Sequence, residues 1–285
     1  MARIDLRNRG NAAGEWFVDT RCIDCGTCRE IAPGLFDEAA GRSVVGRQPV
    51  DGEALDAWLA AQACPTSSIG TISRLRRPGR LYPREVAPGS GVFDLGYCSE
   101  DSFGASAWLV VRPAGNVLVD SPRFTEALAG PIGELGGISH VALTHRDDVA
   151  DARRWAERFG ARTWIHTDDL AAAPWASDLL TGEQELQPGF LAIPVPGHTK
   201  GSVAFLLDDR WLFSGDSLAW SHERDDLTAF RGACWYSWTV QTASLADLAE
   251  RHRFAAVLPG HGARHVGDPD DLHERLLGLV ERMRA

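Results

Sequence analysis

Apolar positions recur along the chain in two rhythms. Over 51–63, Leu55, Trp58, Leu59 and Gln62 fall at helical spacing with the apolar members on one face, and Asp51 stands where it can cap the first turn. The spacing returns over 151–159, with Trp155, Arg158 and Phe159 in step, and again over 269–283. Between these stretches the apolar residues form short runs bounded by turn formers, at 107–112, 116–120, 138–143, 163–165, 191–194, 203–207, 211–214 and 255–258. Each run predicts a strand. Strands therefore dominate the middle of the chain, with helices between and after them.

A length of 285 residues suits two domains of unequal size, and 44% hydrophobic against 24% charged residues is enough apolar material for two packed cores. A division follows at the basic, proline-bearing stretch that holds Arg74, Arg76, Arg77, Pro78, Arg80, Pro83 and Arg84, which reads as a solvated connector. The expected organisation is a small domain over 14–72, a linker over 73–91 and a larger domain over 92–285. The net charge of −10 speaks against capture of nucleic acid or of an anionic membrane surface. Met1 to Gly14 carries scattered charge and no apolar run, and no later stretch reaches the roughly 18 apolar residues of a membrane span, so a cytoplasmic protein is expected. In that setting the six cysteines read as ligands or buried thiols rather than disulfides.

Three of them, Cys22, Cys25 and Cys28, lie on one tight loop in which Gly26 lets the backbone curl and turn its amides toward sulfur. Where a two-cluster sequence would place its next cysteine the chain has Ala32, followed by Pro33, so a single cluster is implied. Cys64, set before Pro65 at the end of the predicted helix, is the expected fourth ligand. A four-cysteine zinc site suits this spacing less well, because its ligands usually come as two pairs. The segment from about Trp16 to Ile72 resembles the single-cluster bacterial ferredoxins, including Ala32-Pro33, Leu35-Phe36 and the late Cys64-Pro65. That resemblance implies a [4Fe-4S] cluster, since Cys25 is present where three-iron relatives often lack a cysteine.

In the second part His145, His198, Asp216 and His261 each follow an apolar run, and the last three have a glycine beside them that permits a sharp bend toward a shared ion. Thr144-His145, Gly197-His198-Thr199-Lys200-Gly201-Ser202, Ser214-Gly215-Asp216 and Pro259-Gly260-His261-Gly262 resemble, in order, the motifs of the metallo-β-lactamase superfamily. The resemblance implies an αββα sandwich after the ferredoxin-like domain, α+β and α/β in class. It also implies a metal site at one edge with His198 on a first ion, Asp216 bridging, His261 on a second, and Asp120 orienting a ligand histidine. The first motif departs from the family's H-x-H-x-D-H: Asp147 stands for the second histidine, Val149 for the aspartate and Ala150 for the last histidine. Asp151 is the residue that could compensate as a ligand, and Asp148 is the candidate general base.

A carboxylate in place of an imidazole hardens the site and favours iron or manganese over zinc. The flavodiiron branch of the superfamily also has a carboxylate there, though this chain has no flavodoxin segment. The favoured reading is a redox-linked enzyme in which the [4Fe-4S] cluster, fed by an electron donor protein or reductase, passes electrons to an iron-type site acting on a small molecule. The second is a metal-dependent hydrolase of an ester, thioester or amide with a structural or regulatory cluster. The third is a non-enzymatic electron carrier or redox sensor. Cys98 and Cys234 read as inert buried thiols, and the aromatic run from Trp235 to Trp238 as core more than pocket.

Overall fold

The structure, a computed structural model, describes residues 2–285. Helices α1 (Thr27–Ile31), α2 (Ala54–Ala63), α3 (Glu126–Glu134), α4 (Ala152–Phe159), α5 (Trp238–Arg251) and α6 (Pro269–Arg284) are set among short strands. In the first part Trp16–Val18 pairs antiparallel with Ile69–Thr71, and Phe36–Glu38 forms a hairpin with Ser43–Val45. Trp16, Val18, Phe36, Val45, Ala57, Ala60 and Ile69 close a small core around the cysteine loop.

Helix α2 differs in detail from expectation. It starts at Ala54 rather than Asp51, because Glu53 accepts the Val50 amide and pairs with Arg47, while Gly52 turns the chain at a φ of 95°. Its buried face is built from Ala57, Leu59, Ala60 and Ala63; Leu55 is exposed and Trp58 lies edge-on to Trp16. The small alanines allow close approach of the cluster loop, which a leucine stripe would hold off.

The second part is built on two sheets. One has seven strands, in the order Asp178–Leu180, Arg162–His166, His140–Ala142, Val117–Val119, Trp108–Val110, Val92–Asp94 and Arg84–Glu85. The other has six, in the order Gln184–Gln187, Phe190–Pro194, Val203–Leu207, Trp211–Gly215, Ala256–Pro259 and His265–Val266. Trp108, Val110, Val119, Phe190, Phe205, Phe213 and Leu258 fill the layer between them. The outer face of the first sheet is covered by Leu128, Ile132 and Trp155 of α3 and α4, and that of the second by Leu245, Leu248, Leu272 and Leu276 of α5 and α6. Because both sheets are buried on two faces, their central strands, such as Trp108–Val110, Val117–Val119 and Val203–Leu207, are continuous apolar runs rather than alternating ones. The result is a four-layer αββα sandwich.

The stretch 73–91 is only in part a connector. Arg84–Glu85 is the edge strand of the first sheet, in register with Val92–Asp94, and Leu81 and Tyr82 are buried in the core beneath it. The Tyr82 hydroxyl donates to the Leu59 carbonyl of α2, so the two parts are packed together.

Register decides where the functional side chains meet. Val119 aligns with Ala142 on parallel neighbours, which brings Asp120 beside Thr144 and His145. Gly215 aligns with Pro259, also on parallel neighbours, so Asp216 and His261 leave the second sheet at one edge. Helix α5 supplies the crossover this parallel pairing needs.

Candidate metal centres

The four cysteines Cys22, Cys25, Cys28 and Cys64 line one small cavity, walled by Val18, Ile23 and Ile69. Backbone amides point at the sulfurs: Asp24 and Ser43 toward Cys22 at 3.4 Å each, and Ser68 toward Cys64 at 3.3 Å. Such donors stabilise thiolates and lower the energy of a negatively charged cluster. Four thiols around one cavity, with amides aimed at their sulfurs, fit an iron–sulfur cluster. Burial pushes the Cys28 thiol up to about 12, so an empty module holds it protonated, and cluster assembly must release that proton. Cys64→Ser is expected to lower cluster occupancy at least about 10-fold, since even changes behind a metal ligand cost that much. Iron and sulfide per chain check this, and full occupancy in the variant would remove Cys64 from the ligand set.

The second group is assembled at the sandwich edge. His145, His198 and Asp216 offer ligand atoms that all lie within 4.8 Å of one another. Asp216 Oδ2 stands 3.7 Å from His145 Nε2, 3.7 Å from His198 Nε2 and 4.0 Å from His261 Nε2. Asp147 Oδ2 is 3.3 Å from His198 Nε2. The ring nitrogens His145 Nε2 and His198 Nε2, with Asp216 Oδ1 and Asp148 Oδ2, are buried and have no hydrogen-bond partner among the described residues. Orphaned buried polar atoms are costly, and four of them converging at one edge form a donor set that a bound cation would satisfy. The residues present thus fit a divalent metal site.

The protonation of His145 is fixed from behind. Thr144 gives its hydroxyl proton to Asp120 at 2.9 Å, so its oxygen accepts Nδ1–H of His145 at 2.9 Å and leaves the Nε2 lone pair facing the group. Burial holds His145 down at about 4 and pushes Asp120 up to about 7. Burial, aided by Asp216, drives the Asp148 carboxyl well above its usual range, while the His198 imidazole 3.3 Å away holds Asp147 below it. Gly260 makes the crowding possible: a Cβ there would sit 2.6 Å from Asp216 Oδ1 and 2.7 Å from Asp148 Oδ2.

The turn Arg146–Asp148 presents Asp147 toward His198 and Asp148 into the interior beside Asp216. Asp151 is not brought to the group. Its carboxylate accepts the Phe124 amide at 2.7 Å and pairs with Arg154, because the start of α4 turns it back toward α3. Its expected place as a ligand is corrected to that of a structural anchor.

One functional residue has no sequence signal at all. Buried Asp169 accepts from Thr199 Oγ1 at 2.6 Å, from the Arg146 amide and from the Gly201 amide, and so ties the His145 and His198 loops together. A cleft of about 1320 Å³ opens over the group. Asp147, Asp148, His198, Asp216 and His261 form its floor, and Cys25, Gly26 and Glu30 of the first part form one side. Cys98 is buried, and Cys234 gives its thiol proton to the Gly197 carbonyl.

Comparison with known proteins gives two family matches: the 4Fe-4S single cluster domain of ferredoxin I over residues 18–71, and the metallo-beta-lactamase superfamily over residues 96–280. The chain is 34% identical over 194 residues to a hydroxyacylglutathione hydrolase of Acidiphilium cryptum (strain JF-5), covering 63% of this chain and 76% of that protein. It is 29% identical over 183 residues to the uncharacterized protein YmaE of Bacillus subtilis (strain 168), covering 62% of this chain and 65% of that one. In fold it is similar to VMB-1, with a TM-score of 0.54 and 19% identity over 71% of this chain and 97% of that one. It is likewise similar to the DIM-1 metallo-beta-lactamase, with a TM-score of 0.53 and 18% identity over 70% and 96%. Among the described residues no helix is long and apolar enough to cross a membrane.

Proposed function

Because this chain belongs to the metallo-beta-lactamase superfamily and carries a single-cluster ferredoxin domain ahead of it, we propose that it is a metal-dependent hydrolase of small acyl thioesters. The observation that carries this reading is the convergence of His145 Nε2, His198 Nε2 and Asp216 Oδ1, buried and unpartnered, with His198 and Asp216 lining the floor of an open cleft and His145 set behind them. The similarity to a hydroxyacylglutathione hydrolase supports the thioester, the bond that joins an acyl group to glutathione.

His145, Asp147, His198 and Asp216 would hold one ion, and Asp216 with His261 would face a second. A bound divalent ion supplies a hydroxide at neutral pH and polarises the acyl carbonyl. Thr144 and Asp120 keep the His145 lone pair directed into the site, and Asp169 keeps the two histidine loops in one relative position. Asp148 Oδ2, buried and free of partners, is the atom that can hold a proton beside Asp216. The test is thioester hydrolysis by protein purified anaerobically with its cluster intact. Turnover is expected to vanish on removal of the second-site metal and to return with added zinc, manganese or iron. Hydrolysis that survives metal removal would overturn the reading.

One observation favours a redox-linked alternative: Cys25 and Gly26 line the same cleft as Asp147 and Asp216. In that reading the cluster, reduced by a donor protein, exchanges electrons with iron held partly by the harder Asp147 carboxylate. Metal analysis separates the two. Iron well above the content of one cluster supports the redox enzyme, and cluster iron accompanied by zinc supports the hydrolase.

A further inference from the structure

Residues 98–106 run as a strap between the two metal-binding parts and are fastened at both ends. The Cys98 amide donates to the Ala63 carbonyl of α2 at 3.1 Å, and Thr27 Oγ1, beside the cluster ligand Cys25, donates to the Gly104 carbonyl at 2.7 Å. At the other end the Ser106 amide donates to the Gly260 carbonyl at 2.8 Å, next to His261. The fit against the cluster loop is tight: a Cβ on Gly104 would lie 2.7 Å from Cys25 Sγ. Between these ties Phe103 is held at a φ of 50°, a left-handed conformation that bulky residues rarely adopt. Packing does not explain it, since Phe103 is 52% exposed. Its ring lines the cleft 6.2 Å from that of His261, while Trp235, 60% exposed, lines the cleft 6.2 Å from the ring of His198. Two exposed aromatics thus flank the metal group, and one of them is fixed there by the iron–sulfur module.

We propose that Phe103 is a specificity-determining residue of the cleft, held over His261 by the cluster-binding loop through Thr27 and Gly104, and that with Trp235 it selects acyl groups with an apolar or aromatic body. The inference rests on the hydrolase reading. Under it the ferredoxin domain shapes substrate choice whether or not it carries electrons during turnover.

The experiment compares phenylacetyl and acetyl thioesters of N-acetylcysteamine on the full chain with both metal sites loaded. Phe103→Ala is expected to raise KM for the phenylacetyl substrate about 10-fold, with kcat and the acetyl KM held within about twofold. Thr27→Val touches neither substrate nor second-site metal. It is expected to raise the same KM about threefold, and to speed amide hydrogen exchange over 99–104 about 10-fold, with cluster iron retained. An unchanged ratio of the two KM values in Phe103→Ala, or an equal loss of kcat on both substrates, would overturn the proposal. So would Thr27→Val protein with native exchange over 99–104. If the unaltered protein hydrolyses neither thioester, the hydrolase reading fails separately, and binding of phenylacetate against acetate then decides: about 10-fold weaker phenylacetate binding in Phe103→Ala supports the inference, and equal binding sinks it.

Discussion

Asp216→Ala is expected to empty the second metal group and to lower thioester turnover on the order of 1,000-fold, with the iron–sulfur cluster left in place. The reason is geometric. Asp216 Oδ2 is the shared neighbour of three imidazoles, at 3.7 Å, 3.7 Å and 4.0 Å, and these come from three different loops. Without it His145 and His198 keep each other's company, their rings 4.7 Å apart and perpendicular, but His261 loses its link to them. Asp147, the other carboxylate beside the group, reaches His198 at 3.3 Å, one imidazole of the three, and does not replace it. Asp216→Asn, which keeps the shape and removes the charge, should fall between the two. Metal analysis and kinetics on the same preparations check this, and wild-type metal content in Asp216→Ala would remove the residue from the site.

Much of this site was legible in the sequence because its signals are local. His198, Asp216 and His261 each stand at a strand end with glycine beside them, and a strand end is fixed by a handful of neighbouring residues. The cysteine loop is similar, with three ligands within seven residues. What the sequence hid depends on direction or distance. Asp147, Asp148 and Asp151 form one acidic stretch, and only the turn Arg146–Asp148 followed by α4 decides that the first two face the group and the third faces Phe124. The Arg and Pro composition of 73–91 concealed the buried pair Leu81 and Tyr82 and the edge strand after them. Asp51 looked like a cap because its type favours that role, but a glycine at 52 with a left-handed φ separates it from the helix. The Thr27 contact with Gly104 spans 77 positions, so no pattern along the chain reports the strap. Asp169 is equally silent, as its three donors come from two other loops.

The second large effect expected is on stability: with the second-site metal removed and the cluster intact, the protein should become less stable between pH 5 and pH 8, and added metal should cancel that fall. The sign follows from the three buried titrating groups. Asp120 is raised from 3.8 to about 7 by burial, so its contribution is full below 3.8 and is lost as pH rises through about 7. Asp148 shifts the same way and, with Oδ2 unpartnered, continues the loss to higher pH. His145 opposes them: lowered from 6.5 to about 4, it adds stability as pH rises from 4 and gives nothing more above 6.5. At about 1.4 kcal/mol per unit, His145 adds roughly 2 kcal/mol between pH 5 and 6.5, while Asp120 removes roughly 3 kcal/mol between pH 5 and 7. Those two nearly offset, so Asp148 decides the outcome, and the balance falls with pH. A bound cation reverses it by giving Asp148 and Asp216 a counter-charge and the two histidines a ligand partner. Asp148→Asn should therefore stabilise the metal-free protein at pH 8 by about 1–3 kcal/mol, the cost of an unpaired buried acid, while weakening metal binding. Thermal unfolding followed by circular dichroism at both pH values, with and without metal, reads all of these terms. A metal-free protein as stable at pH 8 as at pH 5, and unmoved by Asp148→Asn, would mean that Asp148 finds a partner in solution and is not held for the ion.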